Sequence, residues 1–134
     1  MQLSSIQAQA VIDAARAKAS DIGVPVVIAV LDAAAHLKAF TRMDRAVLAS
    51  IDIALRKAKT AALFEANSDT VWEYCMPGAP AHALELSNGG LAPFAGGIPL
   101  RGAGGALVGA IGVSGGAVAQ DLEIAKAGAA AFPR

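Results

Sequence analysis

GALVGAIGVSGGAVAQDLEIAKA, residues 105–127, passes from an unbroken apolar run through Ser114-Gly115-Gly116 into a segment with helical spacing. The pattern predicts a buried strand over 105–113, a tight corner, and a last helix over 117–132 with Asp121 well placed in its first turn. Gly109, Gly112, Gly115 and Gly116 look like a nucleotide-binding turn, but their spacing matches neither a P-loop nor a dinucleotide fingerprint. What the corner offers is backbone N–H groups at a helix start, suited to a carboxylate or propionate.

Working outward, Pro99 to Arg101 reads as the preceding strand, joined through 102–105 as a hairpin. PVVIAVL (25–31) is continuous, apolar and β-branched, the mark of a strand covered on both faces and therefore central. A short turn at 32–35 returns it as a second strand, His36 to Arg42. Ser4-x-x-Gln7 forms a capping box for a first helix over 4–21, stopped by Gly23. Residues 47–66, without Gly or Pro, predict a long alanine-rich helix. In 68–90, Asp69 opens a short helix through Trp72, Pro77-Gly78 breaks the chain, and 81–86 forms a further helical turn. Two hairpins with helices between them give an α+β fold, an antiparallel sheet with helices packed on it.

At 134 residues the chain is one domain in size, 1–134, with no linker or repeat. Hydrophobic residues make up 55% and charged ones 16%, which places apolar surface at subunit contacts. Eleven basic residues balance eleven acidic ones, so no net field draws the chain to nucleic acid or an anionic membrane. Cys75 is the single cysteine, which fits a reducing compartment. With no run of about 18 apolar residues and no basic-then-apolar start, a cytoplasmic protein is expected.

Lys57 is the sharpest chemical signal, since it lies away from the polar sector Asp52, Arg56 and Lys59, on an apolar helix face. Two readings stand: a side chain snorkelling at a subunit interface, or a pocket lysine that pairs with a ligand carboxylate or works with a lowered pKa. Arg42 and Asp44 either pair at a loop, Asp44 capping the long helix, or bind a ligand in a cleft. His36 follows a tight turn, and His82 stands three residues before Glu85, spaced to share a helix face. Lys57, Glu85 and His82 are the candidate catalytic residues. His82 and His36 are the candidate haem ligands, and neither has a partner at zinc-site spacing.

AVLDAAAHLKAFTRMD (29–44), SIDIALRKAKTAA (50–62), LELSNGG (84–90), GGIPL (96–100) and GALVGAIGVSGGAVAQDLEIAKAGAAA (105–131) together resemble the GlcG/HbpS-like family, also met as the C-terminal domain of some PduO-type corrinoid adenosyltransferases. The resemblance implies a compact domain of sheet and helices, assembled as a homo-oligomer from dimer to octamer. It implies haem as a cofactor in some relatives, with an axial ligand that differs among them. Other relatives are encoded beside catabolic enzymes. Ala34-Ala35 departs from the Gly-Gly common in the family's hairpins. Arg42, Asp44, Lys57, Asn88, Gly97 and Ser114 form the candidate ligand-binding set. Three functions follow: a small-ligand or haem-binding protein, a small isomerase, tautomerase or hydrolase acting on an oxo- or hydroxy-acid, or an oligomeric accessory subunit.

Overall fold

The computed structural model describes residues 2–133, so Met1 and Arg134 of the 1–134 unit lie outside it. Helix α1, Ser5–Ile22, starts on the expected capping box, with Gln7 N–H donating to Ser4 Oγ at 3.1 Å and Ser4 N–H to Gln7 Oε1 at 2.9 Å. It ends on Gly23, whose φ of 71° supplies the left-handed turn a helix stop needs. Strand β1, Val27–Asp32, returns as β2, Leu37–Arg42. The turn between them closes on Asp32, whose carboxylate accepts from the Ala34 and His36 N–H groups.

Helix α2 spans Ser50–Phe64 and α3 Ser68–Cys75; then β3, Gly97–Arg101, and β4, Leu107–Ser114, form the second hairpin, and α4 is Val118–Ala130. The strand order β2-β1-β4-β3 is antiparallel throughout, with Val27 opposite both Arg42 and Ser114 and Gly97 opposite Gly112. As the sequence predicts, β1 is interior, buried on both faces. Helices α1 and α4 pack together on one face of the sheet, while α2 crosses β1, β4 and β3 on the other. Edge strand β2 is left largely exposed. Ile12, Ile28, Ile111 and Ile124 fill the first layer, each contributing about 1.5–3 kcal/mol by burial.

The α2 face is built differently. Ala54, Ala58, Ala61 and Ala62 meet Val27, Ala29, Ala110 and Gly112, small residue against small, so helix and sheet come into backbone contact. A Cβ at Gly112 would strike the Ala54 carbonyl and the Ala58 N–H.

Four expectations shift. Helix α2 begins at Ser50, not 47, because Arg45 takes a left-handed φ of 68° and the chain turns through Val47–Ala49 before the helix. Its N-cap is Ala49 without a side-chain bond, so Asp44 caps nothing. Helix α3 runs to Cys75, three residues past Trp72. The expected turn at 81–86 contracts to a 3-10 turn, Leu84–Leu86, because Ala83 is left-handed at φ 71°. That break separates His82 from Glu85, which share no helix face.

Candidate functional site

The segment after the 3-10 turn has no regular structure, yet it is fastened to α2 and α3 by side chains. Arg56 donates to the Gly89 carbonyl at 2.7 Å, and Lys59 to the Asn88 carbonyl at 2.7 Å. Thr60 Oγ1 accepts the Ala92 N–H at 3.0 Å. Ser68, the buried first residue of α3, donates to the Phe94 carbonyl at 2.6 Å and accepts the Gly97 N–H at 2.9 Å. Arg56 is held in turn by the expected i,i+4 pair with Asp52, at 2.6 Å. Ser68→Ala should lower stability by about 1–3 kcal/mol, since it strands the buried Gly97 N–H and the partly buried Phe94 carbonyl; chemical denaturation reads it, and a loss under about 0.5 kcal/mol contradicts the anchoring role.

These anchors shape one wall of a groove of about 590 Å³, lined by Asp69 and Trp72 of α3, Glu85 of the 3-10 turn, Leu91, Pro93, Phe94 and Ala95, and Val118 of α4. Its volume lies within the usual range for small-ligand pockets, about 300–1,000 Å³. Trp72, Phe94 and Val118 are 42%, 41% and 47% exposed, an apolar surface left open in water. A depression of similar size beside Ile98–Arg101 and the end of α4 has no exposed aromatic wall.

Lys57 lies beneath this wall. Only 1% exposed, its ammonium donates to the Val113 carbonyl at 2.8 Å and pairs with Asp121 at 3.0 Å, 5.0 Å from the centre of the Phe94 ring. Asp121, 2% exposed, also accepts the Gly116 N–H at 2.9 Å, closing the corner from β4 into α4. Burial pushes the Lys57 ammonium pKa down, and the charge and hydrogen bond of Asp121 oppose that, leaving it below the ordinary lysine value. Lys57 is thus neither a snorkelling side chain nor a free cation: it ties α2, β4 and the start of α4 together. Gly96 and Gly97 close over it, and a Cβ at Gly96 would sit 2.8 Å from its Nζ.

Burial raises the Cys75 thiol pKa, and the negative charge of Glu85 raises it further. Glu85 itself is partly buried, and its Oε1 is shut off from solvent without a hydrogen-bond partner.

The remaining candidates are spread more widely. Arg42, Gly97 and Ser114 share one end of the sheet, and His36 stands at the other, in the β1–β2 turn. Arg42 and Asp44 are exposed beside the edge strand, Ser114 is buried, and the Gly97 N–H is taken by Ser68. Asn88 is exposed at φ 54°, and His82 is exposed in the turn before Glu85. Of the predicted set, Glu85 lines the groove and Lys57 backs it. Trp72, Phe94, Ser68 and Thr60 were not singled out by sequence; the signal available was LAPFAGG (91–97), an apolar run without strand alternation. Among the described residues, no group of three or more His, Cys, Asp or Glu side chains is placed to hold a metal ion, and no helix is long and apolar enough to cross a membrane.

The chain is 40% identical over 114 residues to an uncharacterized 15.0 kDa protein of the dhaT-dhaS intergenic region of Citrobacter freundii, covering 84% of this chain and 80% of that one. It is 36% identical to the corrinoid adenosyltransferase PduO of the same organism over 98% of this chain, but spans only 39% of that enzyme's length. The crystal structure of a PduOC:heme complex superposes with a TM-score of 0.92 at 34% identity, covering 98% of this chain and 95% of that one. Residues 3–130 match the family model described as haem degrading protein HbpS-like, and with four α-helices and a four-stranded antiparallel sheet among the described residues this chain belongs to the HbpS-like family.

Proposed function

We propose that this protein binds a small, flat, largely apolar ligand in the groove between α3, the Leu84–Ala95 segment and the start of α4, with haem the foremost candidate. The observation that carries this reading is the open pair of aromatic walls, Trp72 and Phe94, set on anchored backbone. The family description and the haem complex of the PduO C-terminal relative add support for haem. Trp72, Leu91, Pro93, Phe94 and Val118 would hold the porphyrin faces; His82, the candidate axial ligand, stands in the exposed turn before Glu85 and is not among the residues that line the groove. Bound haem would supply a redox-active iron. The acid-substrate enzyme reading carries less, because it asks Lys57 for a free cation and that ammonium is already paired with Asp121.

Adding haem to the purified protein should give a saturable Soret shift. Trp72→Ala should weaken binding about tenfold, the loss of one large aromatic contact, and His82→Ala should change the band itself. No spectral change at micromolar haem removes the haem reading.

A homo-oligomer is part of the same proposal. Leu37 and Phe40 on the edge strand β2, and Val47 and Leu48 ahead of α2, are apolar and exposed, and exposed apolar side chains at a sheet edge suit a protein contact.

A further inference from the structure

We infer that the groove grips a porphyrin by its ring and not by its metal, so that metal-free and metallated porphyrins are equivalent ligands for it. This deepens the ligand-binding reading and rests on it.

Proteins hold haem iron through histidine, cysteine thiolate, methionine or tyrosine. None of these side chains lines the groove, whose polar walls are Asp69, Glu85 and the indole of Trp72. The soft or nitrogen donors closest to those walls are withdrawn from it. Cys75, three residues past Trp72 on α3, is fully buried. Lys57 lies behind the Phe94 ring, its ammonium already donating to the Val113 carbonyl and paired with Asp121. His82 is exposed in the turn before Glu85, outside the walls, and His36 stands at the end of the sheet away from Gly97. The groove therefore offers an iron no axial ligand of its own.

The ring is better served. Trp72 comes from α3, Phe94 from the fastened wall and Val118 from the first turn of α4, three apolar surfaces about one open space. The Phe94 carbonyl is held by the Ser68 hydroxyl at 2.6 Å and its ring rests 5.0 Å from the Lys57 ammonium, so this face is set before a ligand arrives. Stacking on aromatic faces depends on the π surface presented, and that surface is common to porphyrins with and without a metal. Because the groove is open to water, a porphyrin that enters by its apolar edge leaves its propionates in solvent. There the exposed Asp69 is screened and sets little penalty against them. On this account, a change in the Soret band on altering His82 reports the surroundings of the iron, while the walls set the affinity.

Trp72 is the single tryptophan of the chain and forms a wall, so its fluorescence reads occupancy of the groove directly. Titration with haem, zinc protoporphyrin and metal-free protoporphyrin IX should give dissociation constants within about fivefold of one another. Phe94→Ala should weaken all three alike, by about tenfold, and Phe94→Leu is the second variant should the alanine form not fold. His82→Ala should leave all three within about fivefold of the parent. Haem bound more than about fivefold tighter than the metal-free ring, or a loss of that size on His82→Ala for haem alone, overturns the inference. Haem binding that depends on Phe94 without binding of the metal-free ring removes this inference and leaves the ligand-binding reading standing, whereas failure of all three porphyrins to bind removes both.

Discussion

Asp121→Ala loses about 3–5 kcal/mol of stability, as expected when one member of a buried ion pair is removed and the other charge is left in the core. Lys57 would keep one carbonyl acceptor, Val113, and the Phe94 ring, neither of which neutralises an ammonium. The Gly116 N–H would lose its acceptor in the same step, loosening the corner that starts α4. Against a typical total of about 5–15 kcal/mol, such a loss brings the melt close to working temperature. The double variant Lys57→Met/Asp121→Ala should recover most of it, because a neutral side chain of similar length has no charge to strand. Urea denaturation of the parent, the single variants and the double variant closes the cycle. A single variant within about 1 kcal/mol of the parent, or a double variant no better than Asp121→Ala, would show that the pair does not hold the core.

Gly112→Val acts on the other side of the same helix, with an expected loss of about 3 kcal/mol or more. What a side chain would meet at 112 is backbone on both counts, the Ala54 carbonyl and the Ala58 N–H. Strand β4 is interior and cannot retreat, so α2 must lift. A lifted α2 carries Arg56, Lys59 and Thr60 with it, and those three hold the groove wall. Ligand affinity should therefore fall together with stability although Gly112 does not line the groove. Gly104→Ala is the control: a Cβ there meets nothing within 4 Å, and only the left-handed backbone, worth about 1–2 kcal/mol, opposes it. Equal effects of the two changes in a denaturation series would contradict the close helix–sheet contact.

Much of the sheet is readable from residue order because its signals are local. An unbroken β-branched run places β1 in the centre, and the Ser4–Gln7 box starts α1 where it should. Helix α2 is misread at its start because Val47–Ala49 suit a helix, and nothing in sequence shows that Arg45 turns left-handed. The groove is hidden for a different reason. Its wall is fixed by bonds between residues 26 to 33 apart, Ser68 to Phe94 and Arg56 to Gly89 being the extremes. No periodicity spans such distances. Lys57 stands out as a misfit on an apolar face, but its partner lies 64 residues away, where it passes for an ordinary acidic residue in a helix's first turn.

The bonds that fasten Asn88–Gly97 have a consequence for how such a protein changes over generations. The anchoring side chains belong to α2 and α3 and grip the main chain of the wall, not its side groups. The exposed Phe94 is therefore more a tenant of this frame than one of its supports. Mutation there can redraw the shape and chemistry offered to a ligand while the scaffold stands, so descendants of one ancestral fold are free to diverge in what they bind without first learning to fold anew.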